Sequence, residues 1–150
     1  MLFLVVGAIQ ARAGHRHLDR LGGFGAAMPR LHALGLVAIF TSLGLPALAG
    51  FPAEALVLFG SWAAFPVAVA FSLLGILLTG WFLVDAHRRA FTGPLPQGIG
   101  KVPDLGARET LVLAIPAGLC LLLGLWPALL LDRMAATLEL LREGFPSLAP

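Results

Sequence analysis

Cysteine is nearly absent. Cys120 stands alone in Leu119-Cys120-Leu121-Leu122, so no disulfide can form within the chain and no thiolate cluster can hold a metal. Packing is the role left to it. Charge is scarce too: 12% of the residues are charged and 59% are apolar, against about 25% charged in soluble domains. The mean hydropathy is +0.92. Such a chain is an integral membrane protein, and its 150 residues fall almost wholly into apolar segments. That leaves one helical membrane unit and no soluble domain to house a nucleotide or flavin. Nucleotide loops, catalytic triads and paired catalytic carboxylates are missing as well. The net charge of +2 comes from ten Lys and Arg scattered through the loops, a placement that bears on membrane topology and argues against a nucleic-acid partner.

What is present is a succession of apolar runs. Met1 to Ala11 is apolar and ends at Arg12, about half of the roughly 20 residues a spanning helix needs. A signal peptide carries its charge ahead of its apolar run, and here the charge follows. The segment therefore reads as the second half of a membrane helix whose first half lies elsewhere. Arg12 to Arg30 is polar and Gly-rich, a loop. Leu31 to Trp62 is apolar over 32 residues, and one straight helix of that length would reach about 48 Å against a hydrocarbon core of about 30 Å.

Something must break it, and Gly44-Leu45-Pro46 is the natural place. Pro46 removes a donor, clashes with the carbonyl four residues back and turns Leu45 away from helical angles. Gly50 and Pro52 mark the restart. Two half-helices are expected, Leu31 to about Gly44 and about Gly50 to Trp62, with non-helical backbone between them that survives at membrane depth only if protein buries it or water lines it.

After Phe65-Pro66 a third helix returns through Val84 to Asp85, His87, Arg88 and Arg89. Thr92 to Asp104, rich in Gly and Pro, is a loop. Gly106 to Leu131 forms a last spanning helix, capped by Asp104 and kinked at Pro116. In the tail, Asp132 to Gly144, residues Met134, Leu138 and Leu141 recur at helical spacing, as in an interfacial amphipathic helix. The expected fold is all-α and membrane-integral: about three complete spans, one of them broken, plus a truncated first helix and a surface tail.

Eight basic residues, Arg12, Arg16, Arg20, Arg30, Arg88, Arg89, Lys101 and Arg108, fall on one side of this threading, and Arg133 and Arg142 on the other. The positive-inside rule puts the eight in the cytoplasm. Both chain ends then face outward, which in the inner membrane of a bacterium means the periplasm.

Glu54 carries the strongest functional signal. A charge at mid-membrane costs roughly 2.5 to 3.5 kcal/mol on insertion scales, and here it sits just past a helix break. Its neighbours at helical spacing, Gly50, Phe51, Val57 and Leu58, offer no basic partner. Burial disfavours a charged carboxylate and a nearby cation favours it, so a moving lysine would switch Glu54 between holding and releasing a proton. The plainer alternative is a carboxylate near the outer surface, since Trp62 is only eight residues on. His32, at the cytoplasmic start of the broken helix, is a weaker proton-handling residue. Asp85 reads as a surface ion pair with Arg88 and Arg89, His87 as an interfacial side chain in preference to a proton relay beside those arginines, and His15 and His17 as loop histidines without metal-site spacing. Trp62, Trp81 and Trp126 suit an aromatic belt. Gly75 and Gly80 suit close helix packing.

The residues Gly44-Leu45-Pro46, Gly50-Phe51, Glu54 and Leu58-Phe59-Gly60 resemble the antiporter-like subunits of respiratory complex I, above all the ND4-type subunit M of NADH-quinone oxidoreductase. The likeness extends to Leu21-Gly22-Gly23, Met28-Pro29, Arg89, Phe91, Gly93, Asp104-Leu105, Arg108-Glu109 and Gly124-Leu125-Trp126-Pro127. It implies the last part of a fourteen-helix fold with two inverted repeats: the end of helix eleven, the broken helix twelve, and helices thirteen and fourteen. Glu54 matches the acidic residue of that broken helix, where sibling subunits carry Lys. Ala53 and Trp126 depart from the family's usual Gly and Tyr or Phe.

The resemblance also implies a function, proton translocation coupled to electron transfer from NADH to quinone. The chain itself would hold no cofactor, with NADH, flavin, iron-sulfur clusters and quinone bound by partner subunits. Its partners would be the other membrane subunits, sibling antiporter-like chains included, and the lipid bilayer. The upstream acidic residue and buried lysines with which Glu54 would exchange charge lie in segments this chain lacks. Two other readings remain, a subunit of a cation/proton antiporter or membrane-bound hydrogenase, and a structural membrane element without transport of its own.

Overall fold

A computed structural model describes residues 1–95 and 102–144, except for the side chains of residues 136, 138 and 141–143. Every regular element among them is helical. In order they are α1 (Leu2–Ala13), a 3₁₀ turn (Leu18–Arg20), α2 (Phe24–Ala27), α3 (Pro29–Ser42), α4 (Gly50–Trp62), α5 (Pro66–Phe91), α6 (Ala107–Leu125) and α7 (Ala128–Gly144). Helices α5 and α6 are each long and apolar enough to cross a membrane. At 14 and 13 residues, α3 and α4 would each extend about 20 Å, too short to span alone but sufficient end to end. The all-α membrane fold expected from composition is the one observed.

Helix α3 sits at the centre, against α1, α2, α4, α5 and α6. Its buried residues are Leu31, Gly35, Ala38 and Ile39. Phe24, Met28 and Leu31 are fully enclosed and anchor a core that includes Val5, Ile9, Ala90, Phe91, Leu105 and Leu113. This core lies at the end carrying the loops. Farther along, α5 leaves Phe71, Leu77, Leu78 and Trp81 exposed, a surface suited to lipid or neighbouring protein.

Three boundaries differ from the sequence reading. The stretch 12–30 is not all loop: α1 runs through Arg12 to Ala13, and a 3₁₀ turn and the short α2 follow before α3 starts at Pro29. Pro29 suits a first helical turn because its missing N–H would have no partner there. The last spanning helix ends at Leu125 rather than Leu131, since Pro127 has no N–H to continue the ladder and forces Trp126 out of helical angles. The tail is then one longer helix, α7. Leu138 and Leu141, on which its amphipathic reading leans, fall among the side chains outside the described set.

The third difference concerns Asp104, which does not cap the helix that follows it. Its Oδ2 accepts the Arg30 N–H at 3.0 Å and its Oδ1 the Leu31 N–H at 3.4 Å, so it caps α3. At α6, Glu109 reaches back to accept the Gly106 N–H at 2.9 Å, half of a capping box. Arg12 ties α1 to the same loop, donating to the Pro103 carbonyl at 2.8 Å and to Glu109.

Candidate functional site

The break between α3 and α4 is built from backbone hydrogen bonds that local sequence explains. Gly44, at φ 60°, ends α3 in a left-handed turn. Its N–H reaches the Thr41 carbonyl at 3.3 Å while the Leu45 N–H reaches Phe40 at 3.1 Å, which is a Schellman motif. A turn follows, with Pro46 second, Ala47 third at φ 75°, and the Leu48 N–H on the Leu45 carbonyl at 3.1 Å. That is the pattern of a type II turn, whose third position ordinarily takes glycine.

The break is also clamped from outside. The Ala49 N–H donates to the Cys120 carbonyl of α6 at 2.9 Å, and Gly124 passes so near Ala47 and Leu48 that a Cβ there would collide with their backbone. Gly50 lies equally close to the Thr41 carbonyl. Protein thus covers the break at Leu48, which is buried, whereas Leu45, Pro46 and Ala47 remain exposed on this chain.

Glu54 lies one turn into α4 and is half-buried. Its carboxylate packs directly on Gly44, where any Cβ would strike it. It therefore faces the opposed ends of two half-helices, the partly negative C-terminus of α3 and the partly positive N-terminus of α4. A cleft of about 600 Å³ opens beside it, lined by Leu43, Phe51, Leu58, Trp62 and Leu73. Among the described residues, Glu54 takes part in no ion pair or side-chain hydrogen bond.

His32 lies away from this cleft, at the start of α3. Its ring stacks on those of His87 and Phe91 from α5, with centroids 5.0 and 5.1 Å away. His87 is thus turned inward and not out toward the membrane surface, and its Nε2 is buried with no hydrogen-bond partner among the described residues. The sequence offered only a faint hint: His87 and Phe91 are one helical turn apart, and nothing local linked them to His32. Gly25 makes room, since a Cβ there would lie 3.1 Å from His32 Nδ1.

The other polar residues take structural places. Asp85 bonds Arg89 at 2.7 Å and Arg88 at 3.3 Å, the ion pair its spacing predicts, and Arg89 also faces Asp19 at 3.7 Å. His15 and His17 stand near each other, with centroids 6.3 Å apart. Groups able to hold a metal do not occur among the described residues. Gly80 admits Leu43 of the break to 3.1 Å from the position of a Cβ, whereas Gly75 faces open space.

Residues 1–79 match the profile of the family described as NADH:quinone oxidoreductase/Mrp antiporter, transmembrane. The chain belongs to this family. The matched region holds the whole break and Glu54. Relatives extend the likeness to most of the chain. The F(420)H(2) dehydrogenase subunit M of Methanosarcina mazei is 39% identical over 89% of the chain and 27% of its own length. NADH-quinone oxidoreductase subunit M of Mycobacterium tuberculosis is 33% identical over 92% of the chain and 25% of its own length. Among solved structures, respiratory complex I from Thermus thermophilus with bound NADH contains a chain that aligns with a TM-score of 0.75 at 30% identity, over 83% of this chain and 26% of that one. The chain spans about a quarter of the length of these relatives.

Proposed function

We propose that the chain forms the closing part of a proton-translocating membrane subunit of the NADH-quinone oxidoreductase subunit M type, with Glu54 as its proton-holding group. One observation carries this reading: a carboxylate without an ion-pair partner among the described residues rests on the glycine of a broken apolar helix. A group so placed changes its protonation with the charge brought near it, and that charge would come from segments upstream of this chain. His32 serves as a second proton-handling residue on the opposite half of the same helix pair.

In this reading the chain works with the other membrane subunits of the complex, sibling antiporter-like chains among them. The redox groups, NADH, flavin, iron-sulfur clusters and quinone, belong to partner subunits. The eight basic residues face the cytoplasm of a bacterial cell and both chain ends face the periplasm. For Arg12, Arg30 and Arg89 a shared location is supported by the contacts at the loop end, where they interleave with Asp104, Glu109 and Asp19; Lys101 lies outside the described residues.

Replacing Glu54 with Gln in the assembled complex, in sealed vesicles, keeps shape and removes titration. Fewer protons should move per electron pair, and unchanged stoichiometry would sink the reading. The family's inclusion of Mrp antiporters favours one alternative, a cation/proton exchanger, recognised by transport that requires sodium.

A further inference from the structure

Helices α1 and α5 both pack on α3, and between them runs a groove of about 300 Å³. Gly35 and Ile39 of α3 form its floor, Val5 and Ile9 of α1 one wall, and Ala86 and Ala90 of α5 the other. Val5, Ile9, Ile39 and Ala90 are buried, whereas Val6 and Phe82 stand exposed on the rim, so the groove is open to the surroundings of the bundle. Along α5 it reaches from Phe91 at the loop end down to Phe82. At the helical rise that is about 14 Å, close to one leaflet of a hydrocarbon core about 30 Å thick. Its lining is apolar apart from Arg16 at the loop end and the ring of His87, which is stacked with Phe91 and His32.

We infer that this groove seats one acyl chain of an anionic glycerophospholipid, with the lipid phosphate against Arg16. Apolar walls give water too few partners to order it there, whereas an alkyl chain needs none. A docked helix is too wide: a stretch as long as the groove, 10 to 12 Å across with its side chains, would need on the order of 1,000 Å³. Charge then selects the head group. Among the described residues Arg16 enters no ion pair, and no carboxylate lines the groove. The acid that follows it in the loop, Asp19, faces Arg89 at 3.7 Å. A guanidinium so placed can hold a phosphate by two parallel N–H bonds, and basic pockets between membrane helices bind anionic head groups in this way. The groove on the other side of α1, against α6, provides a contrast, because Glu109 lines it together with Arg108. An anionic head group gains little there.

The inference needs only that α1 and α5 lie in the bilayer, and it holds whether or not Glu54 carries protons. Its test uses the complete complex in phosphatidylcholine vesicles, doped with either phosphatidylglycerol or phosphatidylcholine that bears a photoreactive diazirine in one acyl chain. After illumination, peptides carrying Val6 and Phe82 should be labelled about fivefold more by the anionic probe, the worth of one basic residue near a membrane surface. R16Q should bring the anionic probe down to the level of the zwitterionic one, and labelling at Phe3 and Val112, in the groove against α6, should not change. A86F, which fills the groove from the α5 wall, should remove labelling at Val6 by both probes. Equal labelling by the two probes in the wild type means bulk lipid only and overturns the inference. So does unchanged labelling in R16Q, and so does a Val6 and Phe82 that neither probe reaches, which means that another protein segment covers the groove. If A86F does not assemble, R16Q, a change at an exposed residue, decides the matter alone.

Discussion

Asp104 caps α3 from a loop 74 residues further along the chain, its carboxylate accepting the Arg30 N–H at 3.0 Å. Partial burial pushes its carboxyl up, but the N–H groups of Arg30, Leu105 and Leu31 and the Arg30 charge outweigh this, and the group is held below the usual carboxylate range. A lowered folded value stabilises the fold above the unfolded value, about 3.9 for Asp, and the contribution is lost as pH falls through the folded one. D104A should cost about 1 kcal/mol at pH 7. Melting of the detergent-solubilised protein between pH 7 and 3 should show the wild type losing its advantage over D104A only at the acid end.

Gly44 and Glu54 should behave as a coupled pair. In G44A the left-handed backbone costs about 1 to 2 kcal/mol, and the new Cβ also meets the Glu54 carboxylate. E54A should relieve the collision and leave the strain, so the double variant should be more stable than the two single effects summed. Strict additivity in melting temperature would show that the carboxylate does not rest on Gly44.

Ala47 occupies a position that favours glycine, with φ 75°. A47G should stabilise the break by up to about 1 kcal/mol, the left-handed penalty less the extra chain entropy of glycine. Slower hydrogen exchange at the Leu48 amide, which closes that turn, is the expected sign.

The reverse holds at Gly124. A Cβ there would meet the backbone of Ala47 and Leu48, and neither can rotate away as a side chain could. G124A should separate α6 from the break, free the Ala49 N–H from Cys120 and speed its exchange, while exchange in α1 stays as it was.

Arg12 joins three carbonyls and Glu109, with only 10% of its side chain exposed. R12M, which keeps much of the stem and removes the donors, should destabilise the loop end by about 1.5 to 3 kcal/mol. E109Q should cost less, because its carboxylate is half exposed and the Arg12 bonds to carbonyls persist; equal melting shifts would contradict this ranking.

Much of this molecule could be read from its residues alone. The apolar composition determined a membrane protein. Gly44, Pro46 and Gly50 determined a broken helix, because the rules for proline and left-handed glycine act within a few residues. Glu54, too, stood out against its neighbours without any knowledge of the fold. Boundaries were less legible where a helix starts inside a polar stretch, as α1 and α2 show, or where one proline outweighs a long apolar run, as at Pro127.

Tertiary structure decided which partner each polar group at the loop end found. Asp104 lies two residues before Gly106, the N-cap of α6, yet caps α3; His87 lies beside two arginines, yet turns to His32. Apolar patterning could not foresee this, since in a membrane chain the lipid-facing and helix-facing sides of a helix are equally apolar and periodicity does not tell them apart. Only the packing of distant segments brought Cys120 to Ala49 and α5 to His32. The sequence by itself determined that the helix breaks and that a carboxylate follows; close contact with α6 and the glycine at position 44 decided how that break is held and where the carboxylate rests.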